Sequence, residues 1–244
     1  MSDIRHLEEA SLAGLPSLRT DHYDGWLLRF ADGYSRHANS VAPLASSTID
    51  LDEKISYCER AYARAGLPCV FKLPQESTPD GLDEALTSRG YRRDAETLVC
   101  TCRIGADVAS AARVELFDTP EGAWFETWLR LTDEPQDGDL FGRLLAATPS
   151  PAVYALIRAG DEGVACARVT LSGGVVGLYD LRVATDHRRQ GMAIDLARSR
   201  LWWAQTQGVE QAFLQVMENN AASRTLQVRL GFVEVYRYWY RLQS

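Results

Sequence analysis

The sequence predicts a mixed α/β fold, an α+β mixed sheet, built from two modules in tandem. Segments whose apolar residues alternate with a period of two, typical of strands, interleave with segments whose apolar residues recur every three or four positions, typical of helices. Residues 105–112 are small and follow neither pattern, which predicts a connection between the modules. The 244 residues, 46% hydrophobic and 24% charged, indicate a folded protein of one large or two small domains.

The first module, residues 1–106, is predicted to begin with a hairpin. Apolar residues alternate from Trp26 to Phe30, and Ala31-Asp32-Gly33 is typical of a turn. The return strand is then expected at 34–41, so that residues 24–43 form strand, turn and strand.

Two helices and two strands complete the predicted order ββαβαβ. Helical spacing ends at a glycine after the first helix, and a hydroxyl before a proline is typical of the start of the second. The expected elements are a helix at 51–65, a strand at 69–73, a helix that begins at Thr78-Pro79 and runs to about Arg89, and a strand at 98–104.

The second module, residues 113–244, is predicted to run βαβββαβαβ. Glycine-containing turns separate three consecutive strands into an antiparallel meander. The expected elements are strand 113–117, a helix from about Pro120, strands 153–158, 164–171 and 175–183, helix 192–207, strand 211–216, helix 221–230 and strand 233–242.

Charge and cysteine content exclude several classes of function. The 26 Lys and Arg residues against 33 Asp and Glu leave a net charge of −7. We therefore expect no nucleic-acid partner and no anionic membrane partner, and a small molecule is the favoured class of ligand. No apolar run approaches the roughly 20 residues that span a bilayer, and the first 14 residues do not resemble a signal peptide. Five cysteines, an odd number, indicate reduced thiols in the cytoplasm, and no His or Cys pair has metal-ligand spacing.

The most informative segment is Arg-x-x-Gly-x-Ala, from Arg188 to Ala193, between a predicted strand and a predicted helix. The start of a helix presents unpaired backbone N–H groups and the positive end of its dipole, which together bind phosphate. Gly191 lets an anion approach the backbone, and Arg188 and Arg189 add positive charge. The alternative is a charged loop that only caps an ordinary helix.

With the Asn219-Asn220 segment and the ending Gly231-Phe232, residues 113–244 resemble the GNAT superfamily of acyl-CoA-dependent N-acyltransferases, most strongly from Val175 to Phe232. The resemblance implies that the loop grips the pyrophosphate of coenzyme A and that backbone groups of the preceding strand bond its pantetheine amides. The implied cofactor-binding residues are Leu181, Arg182, Val183, Arg188, Arg189, Gln190, Gly191, Met192, Ala193, Asn220 and Ser223. Asn220 and Ser223 have helix capping as an equal alternative.

The first module resembles the degenerate amino-terminal module of tandem GNAT-like proteins, because it lacks the Arg-x-x-Gly-x-Ala loop. One acyl-CoA site is therefore expected, in the second module. The first module is expected to pack beside that site, and it either shapes the acceptor pocket or has a purely structural role.

The resemblance implies transfer of an acetyl group from acetyl-CoA to a primary amine by direct attack, with Asp180 as the base. Asp180 is alternatively a surface carboxylate paired with Arg182 or Arg188. Gln227 stands where family members often carry a tyrosine that protonates the leaving thiolate, so either the thiolate leaves unassisted or another residue is the acid. The second hypothesis is a non-catalytic acyl-CoA-binding sensor or interaction module. The acceptor, a small molecule or peptide amine, and the oligomeric state stay open.

Overall fold

The computed structural model describes residues 4–45, 48–75, 80–120, 122–132, 137–149 and 151–243. The first part of the chain contains α1 (Ile4–Gly14), β1 (Arg19–Tyr23), β2 (Trp26–Phe30), β3 (Val41–Ala42), α2 (Leu51–Arg64), β4 (Val70–Pro74), α3 (Leu82–Ser88) and β5 (Arg92–Arg103). The second part contains β6 (Glu115–Phe117), α4 (Ala123–Arg130), α5 (Gly138–Ala146), β7 (Ala152–Ala159), β8 (Glu162–Ser172), β9 (Val175–Val183), a 3₁₀ turn (Thr185–His187), α6 (Met192–Thr206), β10 (Gln211–Met217), α7 (Ala221–Arg229) and β11 (Val233–Leu242).

The strands of the described residues form one continuous mixed sheet in the order β1-β2-β3-β4-β11-β5-β10-β9-β8-β7-β6. The last strand of each part of the chain is inserted into the other part. β11 pairs antiparallel with both β4 and β5, and β5 in turn pairs antiparallel with β10. The mixed α/β fold is therefore confirmed. The division into modules 1–106 and 113–244 stays a prediction, and one sheet contains strands from both of these ranges.

Helices cover both faces of the sheet, because side chains alternate across each strand. On β8, Ala165 and Ala167 pack against α6, whereas Cys166 between them packs against α4. On β11, Trp239 packs into the cluster under α2 and α3, while Tyr238 belongs to the cluster under α1. We call the surface under α6, α2 and α3 the α6 face, and the surface under α1 and α4 the α1 face.

The predicted hairpin at 24–43 is correct in its pairing but not in its length. β2 pairs antiparallel with β3, but the return strand is only Val41–Ala42, and residues 34–40 form no strand. β2 also pairs with β1, which precedes it, through a turn at Asp24 and Gly25 that was not predicted. Both turn residues have positive φ, 43° and 82°, and Asp-Gly suits the two-residue hairpin turn that requires this conformation. After β2, the side-chain oxygen of Asn39 accepts a hydrogen bond from Ala31 N at 2.8 Å and closes a loop instead.

Other elements differ at their ends or are additional. Helices α1 and α5 and strand β1 were not predicted, and β5 begins at Arg92 rather than at residue 98. The expected helix start at Thr78-Pro79 lies outside the described residues, and α3 begins at Leu82. The three-stranded meander, α6, α7 and β11 follow the predicted order and, within two residues, the predicted bounds.

Within the described ranges, no helix is long and apolar enough to cross a membrane. The same ranges contain no group of three or more His, Cys, Asp or Glu side chains that could hold a metal ion.

Candidate active site

A β-bulge in β9 opens the sheet at the predicted site. Cys166 pairs with Arg182 and Arg168 pairs with Tyr179, so Asp180 and Leu181 together stand opposite the single residue Ala167. Asp180 has a positive φ of 55°, a conformation that Asp tolerates better than most residues. A bulge of this kind bends its strand and redirects side chains.

The bend coincides with the point where β9 separates from β10. These two strands are fully described, and their parallel pairing runs from Val176 to Leu178 on β9 and ends there. Beyond that point Arg182 and Val183 pair with β8 on one side only, and Leu181 lies in the bulge. Their other edge faces the gap and has backbone groups that an extended ligand can pair with.

The gap contains a cavity of about 270 Å³, which we call the strand cavity. Asp180 and Leu181 line it from β9, Gln215 from β10, and Ser223 and Gln227 from α7. A second cavity of about 450 Å³, the loop cavity, lies beside the start of α6. Leu226 lines both cavities, so the two adjoin along one side of α7.

The predicted phosphate loop lies on the wall of the loop cavity. The residues of the predicted set that line this cavity are Val183, Arg188, Arg189, Gly191, Met192 and Ala193. Arg188 and Arg189 are exposed, and Gly191 is the residue that immediately precedes α6, with φ of 80°. Gln190 is not among the lining residues; its side chain donates to the Asp186 carbonyl and its own carbonyl accepts from Arg113.

Arg113 holds the loop in place from the beginning of the second half of the chain. Its Nη2 donates to the Gln190 carbonyl at 2.8 Å, and its Nε lies 2.7 Å from Asp195 Oδ2 in the first turn of α6. A Cβ atom at Gly191 would lie 3.4 Å from Arg113 Nη2. A helix start beside two exposed arginines has the donors and the charge for a phosphate group.

The partner of Asp180 is Arg168, not the predicted Arg182 or Arg188. Arg168 Nε lies 2.6 Å from Asp180 Oδ2, and Arg168 Nη1 donates to the carbonyl of Gly14 at the end of α1. Arg168 is 1% exposed and the Asp180 side chain is 20% exposed. The carboxylate is thus held from the buried side by Arg168 and remains open to the strand cavity.

A second buried arginine supports the bulge. Arg200 of α6 donates from Nη1 to the carbonyls of Arg168 and Tyr179, at 2.8 and 3.2 Å. Burial lowers the pKa of this guanidinium. Because Arg200 bonds both strands at the bulge, it stabilises the conformation that separates β9 from β10.

Asn220 and Ser223 have different positions. Asn220 caps α7, since its Oδ1 accepts from Ser223 N at 3.0 Å, and it lines neither cavity. Ser223 lines the strand cavity. Asn220 therefore acts as a helix cap, whereas Ser223 lies on the wall of the strand cavity.

Gln227 is buried and its amide is already bonded. Its Nε2 donates to the Phe232 carbonyl at 2.6 Å, and Phe232 N donates back to the Gln227 carbonyl at 3.1 Å. This pair of bonds fixes the turn between α7 and β11. The side chain at the family's tyrosine position is thus structural, and an amide is not an acid.

The cysteines are poor nucleophiles. Burial raises the pKa of the Cys166 thiol, which lies beneath the site, to about 12. Burial likewise raises the pKa of Cys69 to about 12 and the pKa values of Cys100 and Cys102 to about 11. Because the thiolate is the nucleophile, these thiols are unreactive near neutral pH.

Sequence reasoning missed Arg168, Arg200 and Arg113. Arg168 interrupts an otherwise apolar strand, and a buried charge of this kind needs a partner, which was a usable signal. The roles of Arg200 and Arg113 depend on which loops and strands meet in space, and no local pattern marks them.

The chain matches the family described as "Probable histone acetyltransferase Rv0428c C-terminal" over residues 1–241. It is 27% identical to the Bacillus subtilis protein named "Uncharacterized N-acetyltransferase YobR", over 100% of both chains. It is 30% identical to "Probable histone acetyltransferase Rv0428c" of Mycobacterium tuberculosis, over 94% of this chain and 70% of that protein.

Solved structures share the fold. A GCN5-related N-acetyltransferase from Kribbella flavida has a TM-score of 0.69 at 20% identity, covering 100% of this chain and 96% of that one. A tandem GNAT protein from the clavulanic acid biosynthesis pathway has a TM-score of 0.57 at 16% identity, covering 78% of this chain and 68% of that one. The chain therefore belongs to the Rv0428c C-terminal acetyltransferase family within the GNAT superfamily, and is a GNAT-type acyltransferase.

Proposed function

We propose that this protein transfers an acetyl group from acetyl-CoA to a primary amine by direct attack. The observation that carries the proposal is the pair of adjoining cavities at the separation of β9 and β10. One cavity ends on a helix start with two exposed arginines, and the other ends on the carboxylate of Asp180. This arrangement suits a long ligand with an anionic end and a reactive end.

The residues of the loop cavity fit a pyrophosphate. The first N–H groups of α6 have no intrahelical acceptor, and Gly191 leaves the approach to them open. Arg188 and Arg189 supply charge on the solvent side. In this proposal the free edge of Leu181, Arg182 and Val183 binds the pantetheine amides, and Ser223 contributes to the wall of the same channel.

Acetyl-CoA supplies the activated acyl group as a thioester. Within the chain, Asp180 accepts the proton that a protonated amine must lose before it attacks, directly or through a water molecule. Arg168 Nε holds Asp180 Oδ2 at 2.6 Å and thereby fixes the direction of the carboxylate. The bulge exposes this carboxylate in the gap at the end of the pairing between β9 and β10.

We assign no acid at position 227. The Gln227 amide is engaged with the Phe232 carbonyl. Burial raises the pKa of the Cys166 thiol to about 12, which disfavours a covalent thiol intermediate. A thiol with a pKa of about 8.5 is a fair leaving group without an acid. The proposed reaction is therefore a direct transfer in which the protein positions both reactants and removes one proton.

Two measurements test this proposal. Titration calorimetry of acetyl-CoA and of coenzyme A should give binding to the unmodified protein. A panel of primary amines should then stimulate release of coenzyme A and yield acetylated products by mass spectrometry, and Asp180→Asn should abolish the stimulation. Binding without turnover on the panel would favour the non-catalytic acyl-CoA-binding module, and an acetylated cysteine would contradict direct attack.

A further inference from the structure

A group of polar and aromatic side chains surrounds Asp180 on the α1 face, opposite the face that α6 covers. We call it the acceptor-side cluster, and its members are Tyr34, Trp128, Phe141, Arg168, Asp180 and Arg182. Tyr34 comes from the first part of the chain, and its ring stacks on that of Phe141 at 5.4 Å. Phe141 in turn stacks on Trp128 at 3.9 Å.

The Arg182 side chain lies on the α1 face of the sheet. Its partner across the sheet is Cys166, which packs against α4, so the Arg182 side chain lies on the α1 face. Its guanidinium carbon lies 5.8 Å from the centre of the Trp128 ring. The backbone of Arg182 thus faces the gap between β9 and β10, while its guanidinium lies on the α1 face beside Trp128.

The cluster contains two buried N–H donors without a partner, one on Arg182 and one on Trp128. Arg182 Nε and Trp128 Nε1 are buried, and neither has a hydrogen-bond partner among the described residues. Arg168, by contrast, is engaged by Asp180 and the Gly14 carbonyl. The described contacts of Asp180 include an ion pair with Arg168 and none with Arg182. A buried donor without a partner is uncommon in folded proteins.

The cluster reaches the surface through three of its residues, although the Arg182 Nε and Trp128 Nε1 atoms themselves are buried. Asp180, Arg182 and Tyr34 are all partly exposed. The charges of Asp180, Arg168 and Arg182 all act on the pKa of the Tyr34 hydroxyl, which burial raises, so these groups lie close together. A ligand that reaches Asp180 from this side also meets Arg182.

We propose that the acceptor carries a carboxylate besides its amine, and that the Arg182 guanidinium and the Trp128 indole N–H bind it while Asp180 receives the amine. This inference rests on the proposed acetyl transfer. A carboxylate fits better than a phosphate, because one planar guanidinium fork matches two carboxylate oxygens, and the Trp128 indole adds a single N–H. Tyr34 then makes the first part of the chain a wall of the acceptor site.

The test uses matched acceptors. Each amino acid of a panel is compared with its carboxamide, in which the negative charge is lost and the amine remains. Because the amine itself titrates differently in the two forms, the diagnostic quantity is the acid-to-amide ratio of kcat/KM in each protein. For the unmodified protein, we expect at least one amino acid to be preferred over its amide, on the order of tenfold, as charge-assisted hydrogen bonds imply.

Arg182→Gln should bring the ratio towards one, mainly by raising KM for the acid. Arg182→Lys keeps the charge without the fork and should give an intermediate ratio. Trp128→Phe keeps a ring but removes the N–H, and it should also lower the ratio. It provides an independent test if Arg182→Gln does not fold, and coenzyme A titration reports whether each variant is folded. Arg103→Gln is the matched control, since Arg103 is exposed and paired with exposed Glu210, and it should keep the unmodified ratio.

Two outcomes would overturn the inference in distinguishable ways. If amines are acetylated but the acid-to-amide ratio is the same in the unmodified protein, Arg182→Gln and Trp128→Phe, the carboxylate assignment is wrong and the acetyl transfer stands. If no amine of either form is acetylated by protein that binds acetyl-CoA, the proposed function fails and this inference fails with it.

Discussion

Arg168 Nε lies 2.6 Å from Asp180 Oδ2, at the bulge where β9 leaves β10. The same arginine donates to the carbonyl of Gly14, the last residue of α1. One buried guanidinium therefore links the amino-terminal helix, the middle of the meander and the proposed base. This link explains how a residue on a strained backbone can keep a constant orientation.

Replacing Asp180 by Asn should lower kcat by about 10²–10⁴-fold, the usual contribution of a positioned base. The amide no longer balances the Arg168 charge, so the free energy of unfolding should also fall, by about 1–3 kcal/mol. Steady-state kinetics and chemical denaturation measure the two effects. An unchanged kcat would exclude Asp180 as the base.

Gly191→Glu should abolish binding of coenzyme A, because a carboxylate would stand at the start of α6 where the proposed phosphate binds. Gly191→Ala is the control. Both variants carry the cost of a side chain at φ of 80°, roughly 1–2 kcal/mol, but only Glu adds the negative charge. Calorimetric titration should give much weaker binding for Glu than for Ala, and equal affinities would contradict the assignment of the loop.

Gln227→Ala should lower the free energy of unfolding by about 1–3 kcal/mol, because the buried Phe232 carbonyl loses its partner. Thermal or chemical denaturation measures this loss. Gln207→Ala, at an exposed position, should change stability by no more than about 0.5 kcal/mol. A stability of Gln227→Ala equal to that of the control would mean that the turn at Phe232 does not depend on this bond.

The buried ion pair of Glu8 and Lys72 should be strongly coupled. Lys72 Nζ lies 2.6 Å from Glu8 Oε2, the two side chains are 0% and 1% exposed, and Tyr236 donates to the other Glu8 oxygen at 2.7 Å. Either Glu8→Gln or Lys72→Met alone should cost about 3–5 kcal/mol, because one buried charge loses its partner. The double variant should cost less than the sum, as a denaturation cycle will measure, and simple additivity would contradict the coupling.

Stability should fall as the pH rises above about 9, in part because of the buried thiols. Burial raises the pKa of Cys166 from 9.0 to about 12. Its contribution is complete below the unfolded value and is lost as the pH rises from there towards the folded value, since only the unfolded chain then ionises this thiol. Denaturation at pH 8 and pH 10 measures the loss, and Cys166→Ala should show a smaller fall than the unmodified protein. Equal falls would mean that Cys166 does not contribute.

Local patterns were sufficient for most of the second half of the chain. The meander, α6, α7 and β11 are predicted by alternation and helical spacing, because each of these elements buries one face. Helix α1 lacked a clear pattern, since it buries Glu8 and Ser11 together with Leu7. The hairpin of β1 and β2 was missed although Asp24-Gly25 is a strong turn signal, because β1 is almost entirely exposed and has little apolar alternation.

The site was predictable where it depends on adjacent residues. The loop from Arg188 to Ala193 and the position of Asp180 on the third strand of the meander follow from the sequence and the family resemblance. The partner of Asp180 did not, because Arg168 lies one strand away and reaches Asp180 only through the register shift in β9. Only the structure shows that Asn220 caps α7, because its Oδ1 accepts a hydrogen bond from Ser223 N.

The sequence alone determined the fold class, the resemblance to the GNAT superfamily and the location of the loop, since these depend on periodicity and on contiguous motifs. Only the tertiary structure decided that β11 lies between β4 and β5, that Arg168 rather than Arg182 holds Asp180, and that Tyr34 of the first part of the chain lies beside the site. The physical reason is that strand order and buried charge pairing depend on contacts between residues far apart in the chain, and such contacts leave no local periodicity.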